Sequence, residues 1–114
     1  MDGRTQLPVN QYLRSSLGVK FVDTITEAGP VRILAEEQNS QSVQSILNKV
    51  NISLQKHKSK SIAIVAHYDC DGNPIDKDQQ LKQLKKAVKG LSEMYPDIQI
   101  ISLWVDSNWK VCPL

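Results

Sequence analysis

Ser61-Ile62-Ala63-Ile64-Val65-Ala66-His67-Tyr68-Asp69-Cys70-Asp71-Gly72-Asn73-Pro74 is the stretch on which the fold turns. Its first six residues form a short, nearly continuous apolar run, the pattern of a parallel strand buried on both faces. We expect it to be the central strand. His67 and Cys70 follow it directly and belong to its carboxyl edge, where open parallel sheets bind their ligands.

Outward from that strand the chain alternates. On the N-terminal side, Ser40 suits an N-cap, and Val43, Ile46, Leu47, Val50 and Leu54 recur at helical spacing as far as Lys56. Further back, Lys20 to Ile25 alternates and is rich in β-branched and aromatic residues, so a strand is expected there, ending before Thr26-Glu27-Ala28-Gly29-Pro30. Pro30 opens a helical turn through Val31, Ile33 and Leu34, and Leu7-Pro8 opens a short helix stopped at Gly18. On the C-terminal side, Asp76 or Asp78 caps a helix with Leu81, Leu84, Val88 and Leu91 on one stripe, ending near Tyr95-Pro96. Ile98 to Val105 reads as the last strand. Strands alternating with helices imply crossover units, hence an α/β fold in which a mainly parallel β-sheet carries helices on both faces, three layers in all. At 114 residues, 1–114 is expected to be a single domain.

Composition excludes several classes. The longest apolar runs are far too short to cross a bilayer, so no membrane role is expected. A net charge of +2, without a basic stripe or stacking aromatics, gives no reason to expect a nucleic-acid partner. Met1-Asp2-Gly3-Arg4 lacks the features of a secretory leader, and two cysteines are too few for a disulfide framework, so a cytoplasmic setting is expected.

The chemistry centres on His67 and Cys70. A thiolate and an imidazole are the donors that Zn²⁺ prefers, at about 2.3 Å and about 2.0 to 2.1 Å. His-x-x-Cys alone is a weak signal, since a partly buried His and a core Cys give the same pattern; its place after a buried strand strengthens it. Asp69 and Asp71 can orient His67 from behind or simply build the turn with Gly72-Asn73-Pro74. Tyr68 is a packing residue or part of the site. His57 reads as a solvated helix-end residue, and Cys112 as a free thiol near the terminus that reaches a metal only if the fold brings it there. A thiol-based redox function centred on Cys70 is a further alternative.

Ser61 to Pro74, the Lys-rich helix after it, Ser102-Leu103-Trp104-Val105-Asp106, and the stretches Met1 to Val9 and Asp23 to Pro30 together resemble a small branch of the β-class carbonic anhydrase superfamily. The resemblance covers nearly the whole chain. It implies zinc held by the His and Cys of His-x-x-Cys, which are His67 and Cys70, and by a Cys of a Cys-x-Asp-x-Arg motif. Asp2 and Arg4 match the Asp and Arg of that motif, while its Cys would fall one position before Met1. The family's first, central strand would lie ahead of that Cys, so the expectation is a domain short of one strand and one thiolate, through either a start set at an internal Met or a shortened member.

The resemblance implies reversible hydration of CO₂ to bicarbonate, a carbonate dehydratase (lyase) reaction, in which zinc acidifies its bound water to a pKa of about 7. Catalytic zinc needs three protein ligands. Asp2, or a partner chain, would supply the third beside His67 and Cys70. Arg4 would pair with Asp2 as a gating dyad, and Gly29 would line the substrate cleft or else serve only as a turn glycine. The implied partners are a small-molecule substrate and a second copy of the chain in a homodimer. The alternative function is a catalytically silent metal-binding or structural module of the same fold.

Overall fold

The computed structural model describes residues 1–114. Four helices and three strands follow one another as α1 (Gly3–Leu17), α2 (Pro30–Glu36), α3 (Gln41–Lys56), β1 (Ser61–His67), α4 (Lys77–Met94), β2 (Gln99–Val105) and β3 (Val111–Pro113). β1 and β2 pair in parallel over their whole length, from Ser61 opposite Gln99 to His67 opposite Val105. β3 returns antiparallel to β2, with Trp104 opposite Cys112.

Alternation along β1 and β2 divides the sheet. Ile64, Ala66 and Trp104 join Val31 and Ala35 of α2 and Leu84, Ala87 and Leu91 of α4 in the larger apolar core. Val65 and His67 point the other way, toward a cavity that Thr5, Gln6 and Val9 of α1 also line. A second cluster joins Ile33 of α2 to Val43, Ile46 and Val50 of α3.

The local signals that end these helices act as expected. Ser40 Oγ accepts from the Val43 N–H, Asp76 from the Gln79 N–H, and α4 stops at Tyr95. Gly29, with a φ of +64°, precedes Pro30 at the start of α2. No helix is long and apolar enough to cross a membrane.

Four expectations are corrected. β1 is an edge strand and β2 the central one, because β3 docks on the far side of β2. β3 itself, three residues ending in Pro113, is too short to carry a periodic signal. The sheet is thus one parallel pair and one antiparallel pair. Lys20 to Ile25 forms no strand: it has no sheet partner, and Phe21 is 87% exposed, so its alternation buries no continuous face. α1 begins at Gly3, five residues before Pro8, because Asp2 caps it, accepting from the Arg4 N–H at 2.9 Å, and the Thr5 hydroxyl donates to the Asp2 carbonyl at 2.9 Å.

Candidate functional site

His67 closes β1 with its ring buried. Its Nδ1 lies 2.8 Å from the Tyr68 carbonyl. A carbonyl only accepts, so Nδ1 carries the proton, and in the neutral ring Nε2 keeps its lone pair for a ligand or a proton. The strand end is held from two further directions: the Tyr68 N–H donates to the Val105 carbonyl at 2.9 Å, and the buried amide of Gln80 donates to the His67 carbonyl at 3.0 Å.

The loop that carries Cys70 is equally constrained. Asp69 takes a left-handed backbone with φ +54°, and the Asn73 N–H donates to the Cys70 carbonyl at 3.2 Å. Asn73 is buried and donates to Gln83 of α4 at 2.7 Å. Gly72 meets Gly29 backbone to backbone, so close that a Cβ on Gly72 would stand 2.5 Å from the Gly29 nitrogen. Cys70 itself is half-buried and a free thiol.

Asp2 reaches the same place from the start of α1. Arg4 grips its carboxylate, with Nε donating to Oδ1 at 3.0 Å and Nη2 to Oδ2 at 2.6 Å. These bonds, and that from the Arg4 backbone N–H, hold the Asp2 carboxyl well below the usual carboxylate range, and Asp2 in turn raises the Arg4 guanidinium. The positive form of the His67 ring adds a smaller pull on Asp2 in the same direction. Arg4 also donates to Asp69, through Nη1 to the carboxylate and Nη2 to the carbonyl, each at 3.2 Å.

Asp2, Gly29, His67 and Cys70 therefore line one cavity of about 460 Å³, together with Asp71, Gly72 and residues of the 22–30 segment. Arg4 stands outside the lining and holds Asp2 in place. The donor types present, one thiol and one imidazole nitrogen, are those zinc takes. Their number falls short: no group of three or more His, Cys, Asp and Glu side chains is placed to hold a metal ion, and the carboxylate of Asp2 is committed to Arg4.

The remaining candidates sort clearly. Asp69 serves the turn and Arg4 and makes no bond to the His67 ring. Tyr68 is half-exposed and meets Trp109 edge-on. His57, expected as a merely solvated helix-end residue, pairs its Nδ1 with Asp23 at 2.6 Å, and Ser53 donates to the same Asp23 oxygen at 2.6 Å. This pins the 20–25 segment to the end of α3. Cys112 lies in β3, outside the cavity lining, beside Asp106. Gly72, Gln80 and Trp109 are parts of the site that reading along the chain did not single out; only Gly72 carried a signal there, and that was for a turn.

Nothing among curated proteins or solved structures matches the chain. A family model described as "Putative carbonic anhydrase" matches residues 1–114, the whole of the chain, which therefore belongs to that family.

Proposed function

We propose that this cavity handles CO₂ and bicarbonate, and that the chain's activity is the reversible hydration of CO₂ with Zn²⁺ on His67 and Cys70. The observation that carries this reading is the convergence of Asp2, His67, Cys70 and Gly29, from three separate parts of the chain, on the lining of one cavity in a member of this family. Zinc would supply the acidification of water at neutral pH. Because the chain as placed offers two donors, the third ligand is Asp2 released from Arg4 or a group from a partner chain. The other residues have roles of their own. The Tyr68 carbonyl holds the proton of the neutral His67 ring on Nδ1, which leaves Nε2 facing a ligand, and Arg4 keeps Asp2 ionised and fixed.

A homodimer, a three-layer arrangement around the sheet and a cytoplasmic setting belong to the same proposal. Leu7, Leu17, Val19 and Phe21 are exposed apolar side chains for a second copy to cover, and both thiols are free. Sedimentation at two concentrations tests the dimer.

The second reading is a catalytically silent module of the same fold, favoured by the two-donor set and by the Asp2–Arg4 pair. Stopped-flow CO₂ hydration by the purified chain, supplied with zinc, separates the two. Turnover above the buffer rate that Cys70→Ser removes supports the enzyme; no turnover from zinc-supplied protein supports the silent module.

A further inference from the structure

Three non-glycine residues have a left-handed backbone, and two of them, Asp69 at +54° and Trp109 at +60°, touch the same guanidinium. A bulky side chain rarely adopts that conformation. Trp109 sits in the turn from β2 to β3, where its N–H donates to the Asp106 carbonyl at 2.9 Å. The Asp106 carboxylate accepts from the N–H groups of Asn108 at 2.9 Å and Lys110 at 3.0 Å, so the turn is fixed on both sides of the tryptophan. Glycine would relieve the backbone here. What tryptophan adds is a ring, and that ring lies 4.2 Å from the central carbon of the Arg4 guanidinium.

A guanidinium is planar, and its fork of N–H groups points wherever its plane is set. Stacking on an aromatic face sets that plane. We propose that Trp109 is the positioning residue of the Asp2–Arg4 pair: its indole face fixes the plane of the Arg4 guanidinium, which thereby holds the Asp2 carboxylate at the cavity wall. Asp69 contributes the edge contact, and Tyr68, edge-on to Trp109 at 6.5 Å, borders the ring. The proposal rests on the reading of Asp2 and Arg4 as working parts of the site.

The chain has three arginines, Arg4, Arg14 and Arg32, so side-chain Nε–Hε signals in a ¹⁵N-resolved NMR spectrum are few and assignable by Arg4→Lys. In the wild type the Arg4 Hε signal is shifted by the indole ring current away from the other two and exchanges slowly with water. In Trp109→Leu the ring-current shift is lost with the ring, and the expected supporting result is that the Arg4 Hε exchanges faster with water as the guanidinium loosens its hold on Asp2, while the fold of β1 and β2 is kept. Trp109→Phe, which keeps an aromatic face, retains the shift in part, and it serves as the deciding variant should the leucine chain fail to fold. An Arg4 signal that keeps its slow exchange in Trp109→Leu overturns the proposal. So does a folded Trp109→Phe whose Arg4 signal matches Arg14 and Arg32. The measurement needs neither metal nor turnover, so its failure is distinct from failure of the CO₂ reading.

Discussion

Gly29→Ala is the substitution whose cost the structure specifies most closely. A Cβ at Gly29 would stand 2.5 Å from the Gly72 carbonyl oxygen and 2.7 Å from its carbon, both backbone atoms that cannot rotate aside. Gly29 also has a φ of +64°, which disfavours any L side chain. Two other glycines separate these effects. Gly18 has a φ of +63° with nothing within 4 Å of its Cβ position, so Gly18→Ala measures the backbone term alone, about 1 to 2 kcal/mol. Gly72→Ala measures the steric term, about 1 to 3 kcal/mol for overpacking, less about 0.4 to 1 kcal/mol returned by a stiffer unfolded chain. Gly29→Ala carries both, less the same return from the unfolded chain, about 1 to 4.6 kcal/mol, a large part of the roughly 5 to 15 kcal/mol that holds a domain together.

Urea unfolding followed by circular dichroism reads the series. With a slope of about 2 kcal/mol per M, Gly29→Ala lowers the midpoint by roughly 0.5 to 2.3 M. The Gly18 and Gly72 variants fall between it and wild type. Gly29→Ala within about 0.5 kcal/mol of wild type, the range of an ordinary surface change, would mean that the Gly29–Gly72 contact yields without cost. A Gly18→Ala variant that is the least stable of the three refutes the expected order.

Two further predictions concern the supports of the site. Gln80→Leu leaves the His67 and Ile75 carbonyls without the buried amide that now donates to them and costs about 1 to 3 kcal/mol in the same urea assay; wild-type stability would show that the bond at the end of β1 contributes nothing. Asp2, Asp23 and Asp106 all have folded pKa values below the ordinary carboxylate, Asp2 through Arg4, Asp23 through Ser53 and His57, and Asp106 chiefly through the Lys110 N–H. A depressed folded pKa gives stability that is fully present above the unfolded value of about 3.9 and is lost as pH falls below it. The urea midpoint should therefore hold from pH 7 to 5 and drop from pH 4 to 3, with a shallower drop in Asp106→Asn; a midpoint constant down to pH 3 contradicts it.

Much of the fold was legible because its signals are local. Ser40, Pro30, Asp76 and Tyr95 each act on neighbours a few residues away, and the apolar run of β1 announces burial by itself. The errors lie where pairing decides. Lys20 to Ile25 has strand composition but no partner strand, whereas Val111–Pro113 has almost no strand signal yet completes the sheet beside β2. At the start of α1 the proline rule competed with the Asp2 cap, and the cap prevailed.

The site divides in the same way. Spacing and the place after a buried strand make His67 and Cys70 candidates and the resemblance adds Asp2 and Arg4; the structure brings Asp2, His67 and Cys70 to one cavity and leaves Arg4 outside its lining. The contact of Gly29 with Gly72, the reach of Gln80 to the His67 carbonyl and the stacking of Trp109 on Arg4 join residues 13 to 105 positions apart, and no pattern along the chain encodes them.

In the proposed function the thiol of Cys70 and the imidazole of His67 hold a zinc ion together. Equilibrium dialysis of the full chain against Zn²⁺, with metal counted by atomic spectroscopy, tests it. One zinc per wild-type chain is expected, lost in Cys70→Ser with helix and strand content unchanged. Stoichiometric zinc in Cys70→Ser, or none in the wild type, would contradict it.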